Sequence, residues 1–411
     1  MSIASLSPQI RQYMLVTGNY WAFTLTDGAL RMLVVLHFHQ LGYGPLQVAA
    51  LFLFYELFGV ITNLFGGYLG ARIGLNRTMN LGLGLQVAAL LMLTVPNEWL
   101  SVALVMVAQA LSGIAKDLNK MSAKSSIKLL VNDQAQGQLY RWIARLTGSK
   151  NALKGMGFFL GAVLLTWLGF AGAMWAMASV LALVWVVSLR LLTQDLGKAK
   201  AKPKFRELFS KSPAINRLSA ARFCLFAARD VWFVVALPVY LSAVLGWSFW
   251  QVGGFLAIWV IGYGGVQTLA PRITQQKNGA VADGQSAWRW AAGLTTVTGL
   301  LAATLFCIQL NFSVLPIVLV IGLLVFGVVF AINSSLHSYL IVSYAKADGV
   351  SLDVGFYYMS NALGRLIGTL LSGWIYQVYG LVACLWVSFG LLALATVVSR
   401  KLPHRAQHLI R

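Results

Sequence analysis

LGYGPLQVAALF (Leu41–Phe52) follows an apolar stretch that carries Asp27, and LGWSFWQVGGFL (Leu245–Leu256) follows one that carries Asp230. The two segments begin alike, keep a Gln-Val pair in register, and stand about half the chain apart. A second match, Asn151-Ala152-Leu153 with Asn361-Ala362-Leu363, has nearly the same offset. Together they predict a duplicated chain, each half built from the same succession of elements.

Outward from those segments the sequence is overwhelmingly apolar. Of 411 residues, 59% are hydrophobic and 10% charged, with a mean hydropathy of +0.75. Soluble domains run near 45–50% apolar and about 25% charged, so the reading is an all-α membrane protein. Stretches of about 20 apolar residues, the length that crosses a bilayer as a helix, fall near 14–37, 46–70, 78–95, 99–123, 139–168, 171–191, 218–242, 249–271, 290–310, 314–344, 355–378 and 382–400. That is about twelve helices, six in each half. The polar N-terminus, Met1 to Gln12, has no small-residue cleavage site and reads as part of the mature chain. Loops rich in Lys and Arg alternate with loops that have none, which predicts cytoplasmic termini.

The net charge of +20 excludes nucleic acid as a partner less by its size than by its setting, since no stretch is polar enough to form a basic domain. The predicted organisation is an N-terminal six-helix bundle (1–193), a basic cytoplasmic linker lying against lipid headgroups (194–217), and a C-terminal six-helix bundle (218–411). Cys224, Cys307 and Cys384 are scattered in apolar runs, so neither disulfides nor a metal site is expected. There is no Walker loop, HExxH or triad spacing, so no catalytic residue, metal or cofactor is assigned.

A twelve-span chain of two such halves with a basic central loop resembles the major facilitator superfamily. Gly67-Tyr-Leu-Gly-Ala71-Arg72-Ile-Gly74-Leu-Asn-Arg77 is similar to that family's loop signature. The resemblance implies a conformational loop in which Gly67, Arg72, Gly74 and Arg77 carry over, while Ala71 replaces the usual aspartate and weakens the latch.

Ionisable residues inside apolar spans cost about 2.5–3.5 kcal/mol each at a helix centre, so they pair or line a watery cavity. The basic set is Arg31, Lys116, Lys120, Lys150, Lys154, Arg222, Arg229 and Arg365, against Asp27, Glu56, Asp117 and Asp230. Eight cations facing four acids call for an anionic substrate. Lys116, Lys120, Lys124 and Lys128 recur every four residues and form one helical stripe, of which Lys124 and Lys128 mark the cytoplasmic boundary. Asn119 adds a donor near this stripe, and Lys150 and Lys154 bracket Asn151 in a run of glycines that permits close packing. Arg31 and Arg229 form an opposed pair from the two halves, each able to grip an oxyanion bidentately or to pair with its neighbouring acid, Asp27 or Asp230. Glu56, with no base within a helical turn, reads as a protonated carboxyl for proton coupling or as a hydrogen-bonding group. His337 and Asn361 are candidate substrate contacts, and Arg365 answers Lys154. In the family the first, fourth, fifth, seventh, tenth and eleventh spans supply most cavity residues, and the basic set falls on five of these.

GNYWAFTLTDGALRMLVVLHFHQLG (Gly18–Gly42), GIAKDLNKMSAKSSIKLL (Gly113–Leu130), GSKNALKG (Gly148–Gly155) and ARDVWFVVALPVYL (Ala228–Leu241) resemble the bacterial ArsJ-type organoarsenical efflux permeases. The resemblance implies export of 1-arseno-3-phosphoglycerate across the bacterial inner membrane, conferring arsenate resistance, with glyceraldehyde-3-phosphate dehydrogenase as the pathway partner that makes it. In that reading Lys116, Lys120, Lys150 and Lys154 take one oxyanion, Arg222, Arg229 and Arg365 the other, with Arg31 between. Occupancy lets the halves rock in alternating access, coupled to protons through Asp27, Glu56 or Asp117, or to phosphate exchange. The alternatives are an organophosphate:phosphate antiporter of the same fold and a non-transporting membrane sensor.

Overall fold

The computed structural model describes residues 8–42, 51–131, 135–192, 196–199, 211–275, 281–308 and 313–403. Most of the first repeat segment and the middle of the basic linker expected at 194–217 lie outside them. The described residues form α1 (Pro8–Gln40), α2 (Leu53–Ile73), α3 (Leu75–Met92), α4 (Val102–Leu130), α5 (Gln136–Leu191), α6 (Pro213–Phe233), α7 (Ala236–Ala243), α8 (Phe249–Ile273), α9 (Gly284–Ile308), α10 (Leu315–Tyr344) and α11 (Val350–Ser399). One short 3₁₀ turn, Asn97–Trp99, precedes α4.

Two helices are too long for a single crossing: α5 has 56 residues and α11 has 50, whereas about 20 suffice. Each is broken once, at Gly169 (φ 67°) and at Gly380 (φ 78°). Both glycines have a positive φ that other residues rarely adopt, so each break is a turn between two helices. Between α6 and α7 the helix is interrupted at Val234 and Val235, where the Val234 carbonyl lacks a donor four residues on because that residue is Pro238. Counting α5 and α11 as two helices each and α6–α7 as one interrupted helix, the described residues hold twelve. Seven of the recorded helices are long and apolar enough to cross a membrane. The 33-residue α1 falls outside that set for a readable reason, since Asn19, Asp27, Arg31 and His37 interrupt its apolar character.

By contacts the chain divides into two compact units. Unit 1 comprises Met1–Trp142, Ser149–Ser210 and Ala345–Met359; unit 2 comprises Ile143–Gly148, Lys211–Tyr344 and Ser360–Arg411. In unit 1, α1 and α5 touch backbone to backbone: a Cβ on Gly157 would lie 2.7 Å from the Leu25 carbonyl oxygen, and one on Gly161 2.5 Å from that of Ala29. In unit 2, Gly364 and Gly368 press against the Phe223 and Ala227 carbonyls of α6 in the same manner. Glycine pairs at this spacing let helices approach where lipid offers no hydrophobic drive.

These paired contacts fix the register of the repeat. Leu25 and Ala29 correspond to Phe223 and Ala227, and the same offset matches Arg31 with Arg229. On the partner helix Gly157 and Gly161 correspond to Gly364 and Gly368, which matches Lys154 with Asn361 rather than with Arg365. The Asn-Ala-Leu identity is three residues out of this register, because helix contacts follow where a side chain is missing and not where short words coincide.

Candidate functional site

In unit 1 the charged residues of α1, α2 and α4 converge on Tyr55. The Arg31 guanidinium carbon lies 4.0 Å from the Tyr55 ring centre and the Lys116 ammonium 3.8 Å from it. Cations are drawn to the face of an aromatic ring, worth about 2 kcal/mol when water is excluded. The Tyr55 hydroxyl donates to Asp27, at 2.8 and 3.1 Å to its two oxygens. Arg31 in turn donates to Glu56 at 3.0 Å.

This corrects two expectations. Asp27, one turn before Arg31, takes its hydrogen bonds from Tyr55, and Glu56 is an ion-pair partner rather than a lone carboxyl. The reason is tertiary: α2 packs beside α1 and presents its carboxylate to a guanidinium that no sequence neighbour would reveal.

On α4, Asp117 is 1% exposed and serves two ammonium groups, Lys120 at 2.5 Å and Lys116 at 3.7 Å. Gly59 of α2 leaves room for it, since a Cβ there would stand 2.9 Å from a carboxylate oxygen of Asp117. Further along the stripe the Lys120 and Lys124 ammonium groups lie 4.6 and 4.8 Å from the Tyr358 ring centre, and Lys124 also donates to the Tyr358 hydroxyl. Lys124 is buried, which an exposed boundary lysine would not be. Asn119 leaves this face: it donates to the Ala115 carbonyl at 3.0 Å and packs on Gly82 of α3. Lys150, Asn151 and Lys154 are half-buried on α5, where the Lys154 carbonyl meets Gly28 of α1. Tyr358→Leu removes the ring over two cations and is expected to lower stability by about 1–2 kcal/mol. Tyr358→Phe, which keeps the ring, is expected to lose less; thermal unfolding in detergent separates the two.

Unit 2 repeats the device with arginines. The guanidinium carbons of Arg222 and Arg229 lie 4.0 and 4.8 Å from the Phe226 ring centre. Arg222 donates to Asn361 Oδ1 at 2.8 Å and to Ser334 Oγ at 3.0 Å, and that hydroxyl also receives Tyr263 and Gln267. Asp230, fully buried, accepts from Arg229 at 2.5 Å and from Arg365 at 3.1 Å. Arg229 therefore pairs with its adjacent acid, one of the two readings its sequence left open, while the bridge from Arg365 is a further finding. Asp230 and Asp283 are the only acidic side chains in the sequence of unit 2. Asp283 bonds Ser286 at the start of α9. Two guanidiniums thus share one carboxylate, and Arg222 stands over the same Phe226 ring as Arg229. His337 is buried on α10.

Tyr55, Tyr358 and Phe226 are the residues that charge counting missed. Phe226 had a signal, because Arg222, Phe226 and Arg229 follow at spacings of four and three and share one helical face. The two tyrosines had none beyond being aromatic.

The loop between α2 and α3 turns at Gly74 (φ 99°). Arg72 donates to Tyr68 of its own helix at 3.3 Å, and Arg77 is exposed. Where the aspartate of the loop signature is replaced, the backbone is tied instead: Ala199 N donates to Ala71 O and Leu75 N to Leu196 O, both at 2.8 Å. Gly67 accepts from Ser351 Oγ at 2.8 Å and has no room for a side chain against the start of α11.

Among the described residues no cluster of His, Cys, Asp and Glu has metal-ligand geometry. A cavity of about 220 Å³, bordered by Tyr240, Leu305, Leu319, Tyr379 and Val382, holds none of these charged groups.

The sequence profile of the Major Facilitator Superfamily matches residues 16–341. The chain belongs to that superfamily. The human organic anion transporter MFSD10 is similar in structure, with a TM-score of 0.72 at 18% identity, over 96% of this chain and 100% of that one. A bacterial homologue of the iron transporter ferroportin, in an outward-facing state, gives 0.73 at 16% identity over 95% and 98%. The proton:xylose symporter XylE gives 0.72 at 13% over 95% and 96%. No curated protein matches by sequence. This major facilitator transporter is thus an all-α, multi-pass membrane protein.

Proposed function

We propose that this transporter exports a small organic anion bearing two oxyanion groups, 1-arseno-3-phosphoglycerate, by alternating access in the bacterial inner membrane. The observation that carries the reading is that Arg229 and Arg365 share Asp230 while Arg222, over the same Phe226 ring as Arg229, is held by Asn361 and Ser334. Arg229 and Arg365 share that one carboxylate, and an incoming oxyanion is a further acceptor for guanidinium N–H groups. Guanidiniums suit that task because their paired donors match two oxygens of a phosphate or arsenate at once.

Unit 1 offers a second receptor of different chemistry, with Lys116 and Lys120 sharing Asp117 beside Tyr55. Glyceraldehyde-3-phosphate dehydrogenase, using arsenate for phosphate, is the proposed source of the cargo. The proton-coupling role falls to Asp27, hydrogen-bonded by Tyr55, in preference to Glu56 and Asp117, whose charges are engaged by Arg31 and by Lys116 and Lys120.

Cells expressing the transporter with that dehydrogenase are expected to resist arsenate, and cells lacking either are not. Unchanged arsenate tolerance in cells expressing both removes the organoarsenical assignment. Strong competition by simple phosphate esters in vesicles, without arsenate resistance, points to an organophosphate:phosphate antiporter. Arg229→Lys keeps the charge but loses the fork, and is expected to reduce transport about tenfold; vesicle flux at matched protein levels measures it.

A further inference from the structure

The second half of α10 reads Ala331-Ile-Asn-Ser-Ser-Leu-His-Ser-Tyr339, an unusually polar run for a buried helix. Ser334 and Ser335 are engaged, with Arg222, Tyr263, Gln267 and the Gln267 carbonyl. Asn333 and His337 are not: the Asn333 Oδ1 and Nδ2 and both His337 ring nitrogens are buried with no hydrogen-bond partner among the described residues. Asn333 is 0% exposed and His337 1%. Each orphaned buried polar group costs about 1–3 kcal/mol, so four such atoms one helical turn apart need a reason.

Their surroundings supply one. Phe326, Phe330, Asn333 and His337 follow at spacings of four, three and four, and so share a face of α10. That face meets α6, where Phe326 packs edge-on against Trp232 (5.0 Å between centres) and Phe330 against Phe226 (5.3 Å). One turn on, Ser334 accepts from Arg222. The helices run antiparallel, and continuing their register sets Ser219 of α6 level with His337. The Ser219 hydroxyl is also buried and without a partner among the described residues. Arg222 stands close enough to His337 for its positive charge to be felt at the imidazole.

We infer that Ser219, Asn333 and His337 form a latent subsite in the α6–α10 seam that binds the uncharged, hydroxyl-bearing carbon skeleton of the cargo, next to the oxyanion held by Arg222. The inference rests on the reading of Arg222 as an oxyanion receptor. The chemistry is selective: an amide, an imidazole and a hydroxyl each offer a donor and an acceptor, as an alcohol requires. A second oxyanion, having acceptors alone, would leave the acceptor atoms of all three unmatched. In the conformation described the seam is shut on these groups, and their polar atoms have no hydrogen-bond partner among the described residues. Opening the seam to a hydroxylated ligand relieves that cost, and the ligand thereby favours the open form.

The test uses full-length transporter purified in detergent, with inorganic phosphate and glycerol 3-phosphate as probes of intrinsic tryptophan fluorescence. The parent is expected to bind glycerol 3-phosphate more tightly than phosphate. Asn333→Leu and His337→Phe, similar in shape but without the orphaned groups, are expected to reduce that preference about tenfold. Phosphate affinity should be unchanged, and the empty protein should melt about 2–4 °C higher. A preference that survives both substitutions overturns the subsite. So does a lower melting temperature, because it means the groups are already satisfied in the empty protein. A parent that binds neither probe overturns the Arg222 reading itself, and the subsite falls with it.

Discussion

Asp230→Asn is expected to abolish transport and to destabilise the protein by about 2–3 kcal/mol. The carboxylate is fully buried and holds Arg229 at 2.5 Å and Arg365 at 3.1 Å. Removing one member of a buried charge pair costs about 3–5 kcal/mol, and the lower figure applies because the Arg365 side chain is 30% exposed and partly screened. An amide keeps the shape but leaves two guanidiniums facing each other with nothing between. The charge-matched double variant Asp230→Asn with Arg365→Gln should recover most of the stability and little of the transport. Thermal unfolding reads the first and vesicle flux the second. Full recovery of both would mean that the bridge is scaffolding and the arginines take no part in binding.

The same contact explains why some of the site was legible in the sequence and some was not. Charges inside apolar helices are visible as composition, so Arg31, Lys116, Arg222, Arg229 and Arg365 stand out unaided. The match of Arg31 with Arg229 was also open to reading, and the glycine contacts of α1 with α5 and α6 with α11 give it the same register. Partners within a turn were legible too: Asp230 beside Arg229, and Asp117 between Lys116 and Lys120. Partners on other helices were not. Glu56 reaches Arg31 from α2, and Arg365 reaches Asp230 from α11, and no periodicity of a single helix encodes which neighbour will face it. Asn119 shows the reverse error, since its nearness in sequence to the lysine stripe concealed that its side chain turns to α3.

Aromatic support was the largest omission, and it follows a rule that the two units share. Tyr55 carries Arg31 and Lys116; Phe226 carries Arg222 and Arg229. A ring attracts a cation without cancelling its charge. Such a support lowers the cost of burial while leaving the cation able to bind an anion, which a one-to-one carboxylate partner would not. The economy of acids fits this division of labour, with Asp117 and Asp230 each spread over two cations.

Lys116→Ala and Lys120→Ala are expected to remove arsenate resistance almost completely while leaving protein levels in the membrane near normal. Lys116 lies over Tyr55 and 3.7 Å from Asp117, and Lys120 takes the shorter contact with the same acid. Deleting either leaves Asp117 one partner, so the buried carboxylate is still paired and the fold is spared the full penalty. What disappears is the positive charge in excess of that acid, which is the part an oxyanion can use. A charge-assisted hydrogen bond is worth about 1.5–3 kcal/mol, or roughly 10- to 150-fold in affinity, and loss on that scale exceeds what a resistance assay tolerates. The double variant Lys116→Ala with Lys120→Ala should differ, failing to accumulate because Asp117 is then stranded at 1% exposure. Growth on arsenate, read against immunoblots of membranes, distinguishes the cases. Full resistance in both single variants would show that this stripe holds the helices together and leaves the anion to other residues.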